Sequence, residues 1–235
     1  MSSIHNPDYI NKTYPKENEL YAQKLVRYLI KKFNIKKGDS LLDIGCGSGL
    51  ITKCFLDEGI LAYGIDISYD ARKNISEDKL TIYDLQKSNY PFPNENFDFV
   101  FSKSVVEHLI NPDILFDETF RILKKNGVLI CMTPSWKHSF DEAFYIDHTH
   151  VTPFTKYSLK VACELSGFVA KCEYFYQLPI VWKYPIMNII RFIIQKTPIP
   201  YRPFSDVFWP DNFNKVIRFS KEAMLLCKAE KKWLV

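Results

Sequence analysis

The pattern of apolar and polar positions predicts a chain in which strands and helices alternate. Residues 17–33 carry apolar side chains at helical spacing, and the apolar run 40–44 stops at a glycine turn. Further strands are predicted at 61–67, 80–84, 97–102, 127–133, 169–176 and 223–229, and further helices at 50–58, 71–76, 112–123 and 156–166. This alternation predicts an α/β fold, a three-layer sandwich around a mostly parallel seven-stranded sheet.

A long segment at about 179–213 lies between the last two predicted strands. Within 185–196, isoleucines at 186, 189, 190, 193 and 194 share one helical face. This face fits the core or a homodimer interface, a lid over a substrate pocket, or a helix on a membrane surface. The proline-rich stretch that follows, up to Phe213, is predicted to form a rigid aromatic wall. We therefore expect an aromatic and helical insertion in this place.

Composition narrows the class of protein. The 235 residues support one domain over 1–235, and a formal charge of +4 without a run of five like charges does not indicate a nucleic-acid partner. No uncharged apolar stretch approaches the roughly 18 residues that span a bilayer. The six cysteines form no Cys-x-x-Cys pair. We expect reduced thiols and a cytoplasmic protein without a transmembrane segment.

Aromatic residues are unevenly distributed. Phe, Tyr and Trp make up 15% of the chain. Eleven of them fall between 174 and 213, in or beside the insertion. Aromatic faces stack on sugars and bases, so this segment is predicted to decide which substrate is bound.

A glycine-rich turn follows the first predicted strand. Asp43 precedes three glycines, Gly45, Gly47 and Gly49, with Cys46 between the first two. This spacing differs from that of the dinucleotide fingerprint. Glycines allow positive φ and let a ligand approach the bare backbone at the carboxyl end of a parallel strand. A turn without a ligand is the alternative, but three glycines in five residues indicate a binding loop.

The sequence from Asp43 to Gly49 resembles the first motif of class I S-adenosylmethionine-dependent methyltransferases. Four further segments follow in the order of that family: 64–68, 83–85, 97–109 and 123–129. The resemblance covers roughly 20–176 and the last strand. It implies a Rossmann-like fold and S-adenosylmethionine as the cofactor.

The resemblance also implies which residues bind the cofactor. Asp66 would accept hydrogen bonds from both ribose hydroxyls, with Ile67 against the adenine. Asp84 would accept from the adenine amino group, and Leu85 would contribute backbone contacts. The backbones of Gly45 and Ser102 would hold the methionine end, while Asp43 orders the loop. Asp66 as a helix N-cap and Asp84 as a turn residue are the alternatives.

Histidines cluster after the fifth predicted strand, at the edge where this family binds its acceptor. His150 and His148 are candidates for the general base, because imidazole titrates near neutral pH, and His108 is a third. Histidines that only order the loop are the alternative.

The same residues suggest a metal site. Glu107 and His108 resemble half of the Glu-x-x-Glu-His motif of metal-dependent methyltransferases, although Ser104 stands at the first glutamate position. Together with His148 and His150 they offer carboxylate and imidazole ligands to Mn, Fe or Zn.

The whole chain resembles small O-methyltransferases of surface-polysaccharide biosynthesis, which implies a sugar or nucleotide-sugar substrate. Arg202 and Lys183 would then pair with a diphosphate. Two alternatives remain open: a quinone or lipid-like acceptor, and a non-catalytic cofactor-binding subunit that activates a partner protein.

Overall fold

The centre of the molecule is a seven-stranded sheet, seen in a computed structural model that describes residues 18–139, 142–201 and 210–232. The strands are β1 (Ser40–Ile44), β2 (Leu61–Asp66), β3 (Leu80–Ile82), β4 (Phe97–Lys103), β5 (Leu123–Pro134), β6 (Val169–Phe175) and β7 (Met224–Glu230). Their order across the sheet is β3-β2-β1-β4-β5-β7-β6. Strands β1 to β5 pair in parallel, whereas β7 is antiparallel to both β5 and β6. The predicted mostly parallel seven-stranded sheet is confirmed.

Helices lie on both faces of this sheet. The helices before β6 are α1 (Glu19–Phe33), α2 (Leu50–Asp57), α3 (Asp113–Ile122), α4 (Trp136–Ser139), α5 (Glu142–Tyr145) and α6 (Lys156–Leu165). Side chains alternate between the two faces of a strand. Leu41 accordingly belongs to the apolar core that contains α1 and α2, and Leu42 to the core that contains α3 and α6. The three-layer α/β sandwich is confirmed.

The strand order places a crevice beside β1. Chain order runs outward from β1 to β3 on one side and from β4 on the other. The carboxyl ends of β1 and β4 therefore flank a point where the topology reverses, which is where open α/β sheets bind ligands. The glycine turn lies at this point.

The predicted helix at 71–76 is wrong. Two 3₁₀ turns, Tyr69–Lys73 and Glu77–Lys79, occupy this stretch. Ser68 Oγ accepts from the Asp70 amide and caps the first turn. Asn74 then donates its side-chain amide to the Ser48 carbonyl oxygen at 2.9 Å, which ties the stretch to the glycine loop. A short connection held at both ends leaves no room for a longer helix.

Between β6 and β7 lie α7 (Pro179–Lys183), α8 (Met187–Lys196) and α9 (Asp211–Lys221). Helix α9 was not predicted, and it overlaps the end of the predicted aromatic wall. The middle of that wall, with Arg202, Phe204, Phe208 and Trp209, lies outside the described residues. Over the part of the chain that the structure describes, every helix is too short or too polar to cross a bilayer.

Helix α8 turns its apolar side away from the protein. Ile186, Ile189, Ile190 and Ile193 are each at least half exposed. The Arg191 guanidinium instead lies 3.6 Å from the centroid of the Tyr176 ring, on the protein side of the helix. The isoleucine face is therefore not part of the core of the described chain. The lid, the subunit interface and the membrane contact stay predictions for this face.

One pair of cysteines corrects the expectation of reduced thiols. Cys172 and Cys227 face each other across the antiparallel pair β6 and β7, and a disulfide joins them. They are 55 positions apart in sequence, so a search for short spacings could not find the pair. Cys46, Cys54, Cys131 and Cys163 are buried.

Candidate active site

The glycine loop at the carboxyl end of β1 has a backbone that only glycine adopts easily. Gly45 has a φ of +70° and Gly49 a φ of +76°. A Cβ at Gly45 would lie 2.2 Å from Val105 Cγ2, and one at Gly49 would lie 2.9 Å from the Ala71 carbonyl oxygen. By contrast, a Cβ at Gly47 would meet no atom within 4 Å. The loop thus packs closely on both sides and leaves open space at its tip.

Two carboxylates hold this loop. The Gly47 amide donates to Asp66 Oδ2 at 2.8 Å, and the Ser68 amide donates to Asp66 Oδ1 at 2.8 Å. Burial raises the pKa of Asp66 above its usual value, and these two amides partly offset the effect. Thr52 Oγ1 donates to the buried Asp43 at 2.7 Å and joins α2 to β1. The predicted carboxylates therefore lie at the crevice, and their roles toward a cofactor stay predictions.

The other predicted cofactor residues lie along the same edge. Asp84 follows β3 and accepts from the Gln86 amide at 3.1 Å, the geometry of a local turn. Ile67 is exposed beside Asp66, whereas Leu85 is buried and its carbonyl oxygen accepts from the Tyr90 hydroxyl. Ser102 ends the buried part of β4, and its hydroxyl is buried with no hydrogen-bond partner among the described residues. Cys46 packs against Ala71 and Ile75.

Three of the four predicted metal ligands come together, at the edge where the sequence predicts that the acceptor binds. One potential ligand atom from each of Glu107, His108 and His150 lies within 4.8 Å of the others. We call these three residues the acceptor cluster. His148 is exposed and is not a member of it. The histidine segment thus contributes one candidate to the cluster and leaves the other at the surface.

Glu107 is the most unusual member. Its side chain is fully buried, and Oε2 accepts from the Thr133 hydroxyl at 2.9 Å. Within the described chain, Oε1 has no hydrogen-bond partner. Burial raises the pKa of Glu107 to about 7. A buried carboxylate oxygen without a partner is costly, which makes Glu107 Oε1 a candidate contact for a ligand.

The two imidazoles are neutral near pH 7. Burial lowers the pKa of His108 to about 4, with a smaller contribution from His150. Burial also lowers the pKa of His150 below its usual value. The two ring centroids lie 4.6 Å apart. Each neutral ring keeps one nitrogen lone pair, so each can bind a metal or accept a proton.

Backbone hydrogen bonds bring the two halves of the cluster together. The carbonyl oxygen of Glu107 accepts from the amides of Val151 and Thr152 at 2.8 and 3.0 Å. Glu107 and His108 lie in the 3₁₀ turn Val106–His108, directly after Val105, whose side chain contacts Gly45. The acceptor cluster therefore adjoins the glycine loop.

Sequence reasoning assigned no role to several residues that support the cluster. Thr133 bonds to Glu107, while the buried Asp147 and Thr149 lie behind His108. One local signal was present, because Asp-x-Thr is a spacing at which the aspartate accepts from the amide two residues later. The Thr149 amide donates in this way to Asp147 Oδ1 at 2.9 Å. The contacts to Thr133 and His108 had no such local signal.

Comparison with known proteins identifies the family. A family model described as a methyltransferase domain matches residues 14–173, more than half of the chain. The chain belongs to this methyltransferase family. The expectation of a class I S-adenosylmethionine-dependent methyltransferase is confirmed at the level of family and fold.

Solved structures share the fold of this methyltransferase. An S-adenosylmethionine-dependent methyltransferase from Archaeoglobus fulgidus superposes with a TM-score of 0.65 at 21% identity, covering 96% of this chain and all of that one. Phosphoethanolamine N-methyltransferase 2 of Haemonchus contortus, in complex with S-adenosyl-L-methionine, gives a TM-score of 0.62 at 18% identity, with 99% and 61% of the two chains covered. These likenesses show the fold.

Curated relatives of the methyltransferase include ubiquinone biosynthesis O-methyltransferases. The protein from Pelagibacter ubique is 32% identical over 144 residues, 55% of each chain. The one from Bradyrhizobium diazoefficiens is 26% identical over 184 residues, 75% of this chain and 68% of that one. The chain spans about half the length of the first curated relatives that it matches. These relatives give no support to a sugar acceptor.

Proposed function

We propose that this methyltransferase transfers the methyl group of S-adenosylmethionine to a hydroxyl oxygen held at the acceptor cluster. The observation that carries the proposal is the buried Glu107 Oε1, which lacks a partner in the described chain and lies beside two neutral imidazoles. The cluster adjoins the glycine loop through Val105. A hydroxyl bound there would lie next to the cofactor crevice.

The chemistry requires alignment and removal of one proton. The acceptor oxygen attacks the sulfonium methyl carbon, the C–O bond forms as the C–S bond breaks, and S-adenosylhomocysteine leaves. The hydroxyl proton must go to a base. His108 and His150 are neutral and each has one free nitrogen lone pair, so either fits this role. His148 is exposed and outside the cluster, which makes it the weaker of the predicted bases.

The same three residues fit a divalent transition metal. Two imidazoles and one carboxylate suit Mn, Fe or Zn, and the unpartnered oxygen of Glu107 is a ready ligand atom. When bound, such an ion would lower the pKa of the acceptor hydroxyl. A metal would also favour the ionised form of Glu107, whose carboxyl is otherwise held near a pKa of about 7.

The acceptor class that has most support is a quinol-like or lipid-like hydroxyl. The curated relatives include O-methyltransferases of ubiquinone biosynthesis. The exposed isoleucines of α8 offer this chain an apolar surface. These relatives give no such support to a nucleotide sugar. Of the two side chains predicted to pair with a diphosphate, Arg202 lies outside the described residues, and Lys183 Nζ lies 5.0 Å from the centroid of the neighbouring Tyr184 ring.

The test is transfer of a labelled methyl group by the purified chain. The panel contains an alkylated catechol, a set of nucleotide sugars and phosphoethanolamine as an amine control. We expect label on the catechol oxygen. Transfer only to a nucleotide sugar would support the sugar acceptor expected from the sequence. Transfer only to the amine would contradict O-methylation.

Two additions to this assay test the remaining alternatives. Full activity after chelation and confirmed removal of metal would exclude the metal role and leave His108 or His150 as the base. Turnover that appears only when a second protein is added would favour an activated complex. A fold neighbour from Haloferax volcanii was itself solved in complex with the Trm112 methyltransferase activator. The assay with an added second protein is therefore part of the test.

A further inference from the structure

A chain of buried hydrogen bonds lies behind the acceptor cluster. Thr149 Oγ1 donates to Asp147 Oδ1 at 2.6 Å and lies 2.8 Å from His108 Nδ1. Asp147 and Thr149 are each only 4% exposed. We call these two residues the support pair. Thr149 contacts His108 at Nδ1, the ring nitrogen nearer its backbone, and Asp147 contacts Thr149 in turn.

The directions of these hydrogen bonds follow from counting protons. A hydroxyl carries a single proton, and the carboxylate of Asp147 can only accept. The Thr149 hydroxyl therefore donates its hydrogen bond to Asp147 Oδ1, which also accepts a hydrogen bond from the Thr149 amide at 2.9 Å. The hydroxyl oxygen is then left to accept from His108. His108 must therefore carry its proton on Nδ1 and its lone pair on Nε2.

The tautomer of the second imidazole in the cluster, that of His150, is also determined by a hydrogen bond at Nδ1, but to a different partner. His150 Nδ1 lies 2.7 Å from the carbonyl oxygen of Phe144, which only accepts. The proton of His150 thus also lies on Nδ1. Asp147 Oδ2 is 3.9 Å from His150 Nε2, so the charge of one buried carboxylate faces both imidazoles.

We propose that Asp147 and Thr149 are positioning residues that hold His108 in its Nδ1–H tautomer, so that the Nε2 lone pair is available to the acceptor cluster. The tautomer claim stands on the hydrogen bonds alone, whereas its use for a metal or a hydroxyl proton rests on the proposed function. A ligating histidine is commonly oriented by such a partner on its other nitrogen, and losing that partner typically costs 10-fold to 100-fold in metal affinity. Without the Thr149 hydroxyl, His108 is free to move its proton to Nε2, where it would block ligation and proton uptake alike.

The test compares Thr149→Val with Thr149→Ser. Valine has nearly the shape of threonine but no hydroxyl, whereas serine keeps the hydroxyl. Imidazole ¹⁵N chemical shifts in histidine-labelled protein report the tautomer of His108 without cofactor, acceptor or metal. We expect the Nδ1–H form in the wild type and in Thr149→Ser, and a substantial Nε2–H population in Thr149→Val. Thr149→Ala gives a second hydroxyl-free variant should the valine variant fail to fold.

A second readout is the affinity for Zn²⁺ and Mn²⁺ by titration calorimetry. Thr149→Val should bind at least about 10-fold more weakly than the wild type, and Thr149→Ser within about 2-fold. His148→Ala is the matched histidine control and should bind as the wild type does, because His148 is exposed and outside the cluster.

The outcomes separate this inference from the proposed function. An unchanged His108 tautomer in a folded hydroxyl-free variant would overturn the positioning role, whatever the activity. A wild-type protein that binds neither ion, or methylates nothing, would count against the proposed function and leave the tautomer comparison to decide the inference.

Discussion

The cofactor edge and the acceptor edge of this methyltransferase are assembled in different ways. At the cofactor edge, the glycine loop directly follows β1, and Asp66 is the last residue of β2. At the acceptor edge, Glu107 accepts a hydrogen bond from Thr133, and His108 is hydrogen-bonded to Thr149. The first edge is built on turns at the ends of two consecutive strands, whereas the second joins side chains from segments 26 and 41 positions apart. Sequence motifs therefore predict the residues of the cofactor edge better than those of the acceptor edge.

The largest effect is expected at the cofactor edge, from Asp66→Ala. The carboxylate already accepts from the Gly47 and Ser68 amides, and it is the group expected to accept from the ribose hydroxyls. Losing two hydrogen bonds to a charged group costs about 3 kcal/mol or more, roughly 100-fold in affinity. Calorimetric titration with S-adenosylhomocysteine measures this loss.

The matched control is Asp70→Ala, which removes a nearby carboxylate paired with Lys73. The affinity of this variant for S-adenosylhomocysteine should stay close to that of the wild type. If Asp66→Ala also bound S-adenosylhomocysteine with near-normal affinity, the cofactor assignment of this edge would be wrong.

The second-largest effect is expected at the acceptor edge, from Glu107→Gln. Glutamine keeps the shape and an oxygen but loses the charge, so acceptor binding and proton removal should suffer. We expect kcat to fall by about 10-fold to 100-fold, while S-adenosylhomocysteine affinity changes by less than about 3-fold. This split would show that the two edges work separately.

The control for this variant is Glu164→Gln on the exposed side of α6, where the carboxylate pairs with Lys160. It should leave both measurements unchanged. A large loss of cofactor affinity in Glu107→Gln would instead mean that the two edges form one binding unit.

The sequence predicted the sheet, both helix layers and the position of the glycine loop, because periodicity and turn chemistry are local. It failed at residues 71–76, where Asn74 bonds to Ser48 and tertiary contacts override the helical pattern. It also failed at Cys172 and Cys227, since only the register of β6 and β7 brings them together. The acceptor cluster was half predicted: Glu107, His108 and His150 converge, whereas the support pair and the exposure of His148 depend on how the loop after α5 folds.

The smallest effect is expected in the insertion, from the double variant Ile189→Ser and Ile193→Ser. Both side chains are more than half exposed on α8, so their replacement should change the free energy of unfolding by no more than about 0.5 kcal/mol. Leu159→Ala on the fully buried face of α6 is the contrasting control and should cost about 2 to 5 kcal/mol in urea unfolding. A stable double variant that loses turnover on an apolar acceptor would link this face to the acceptor edge, and one that loses an oligomeric state would make the face an interface. Destabilisation approaching that of Leu159→Ala would mean instead that the isoleucines are covered in the native protein, and that the insertion belongs to the same packed unit as the sheet.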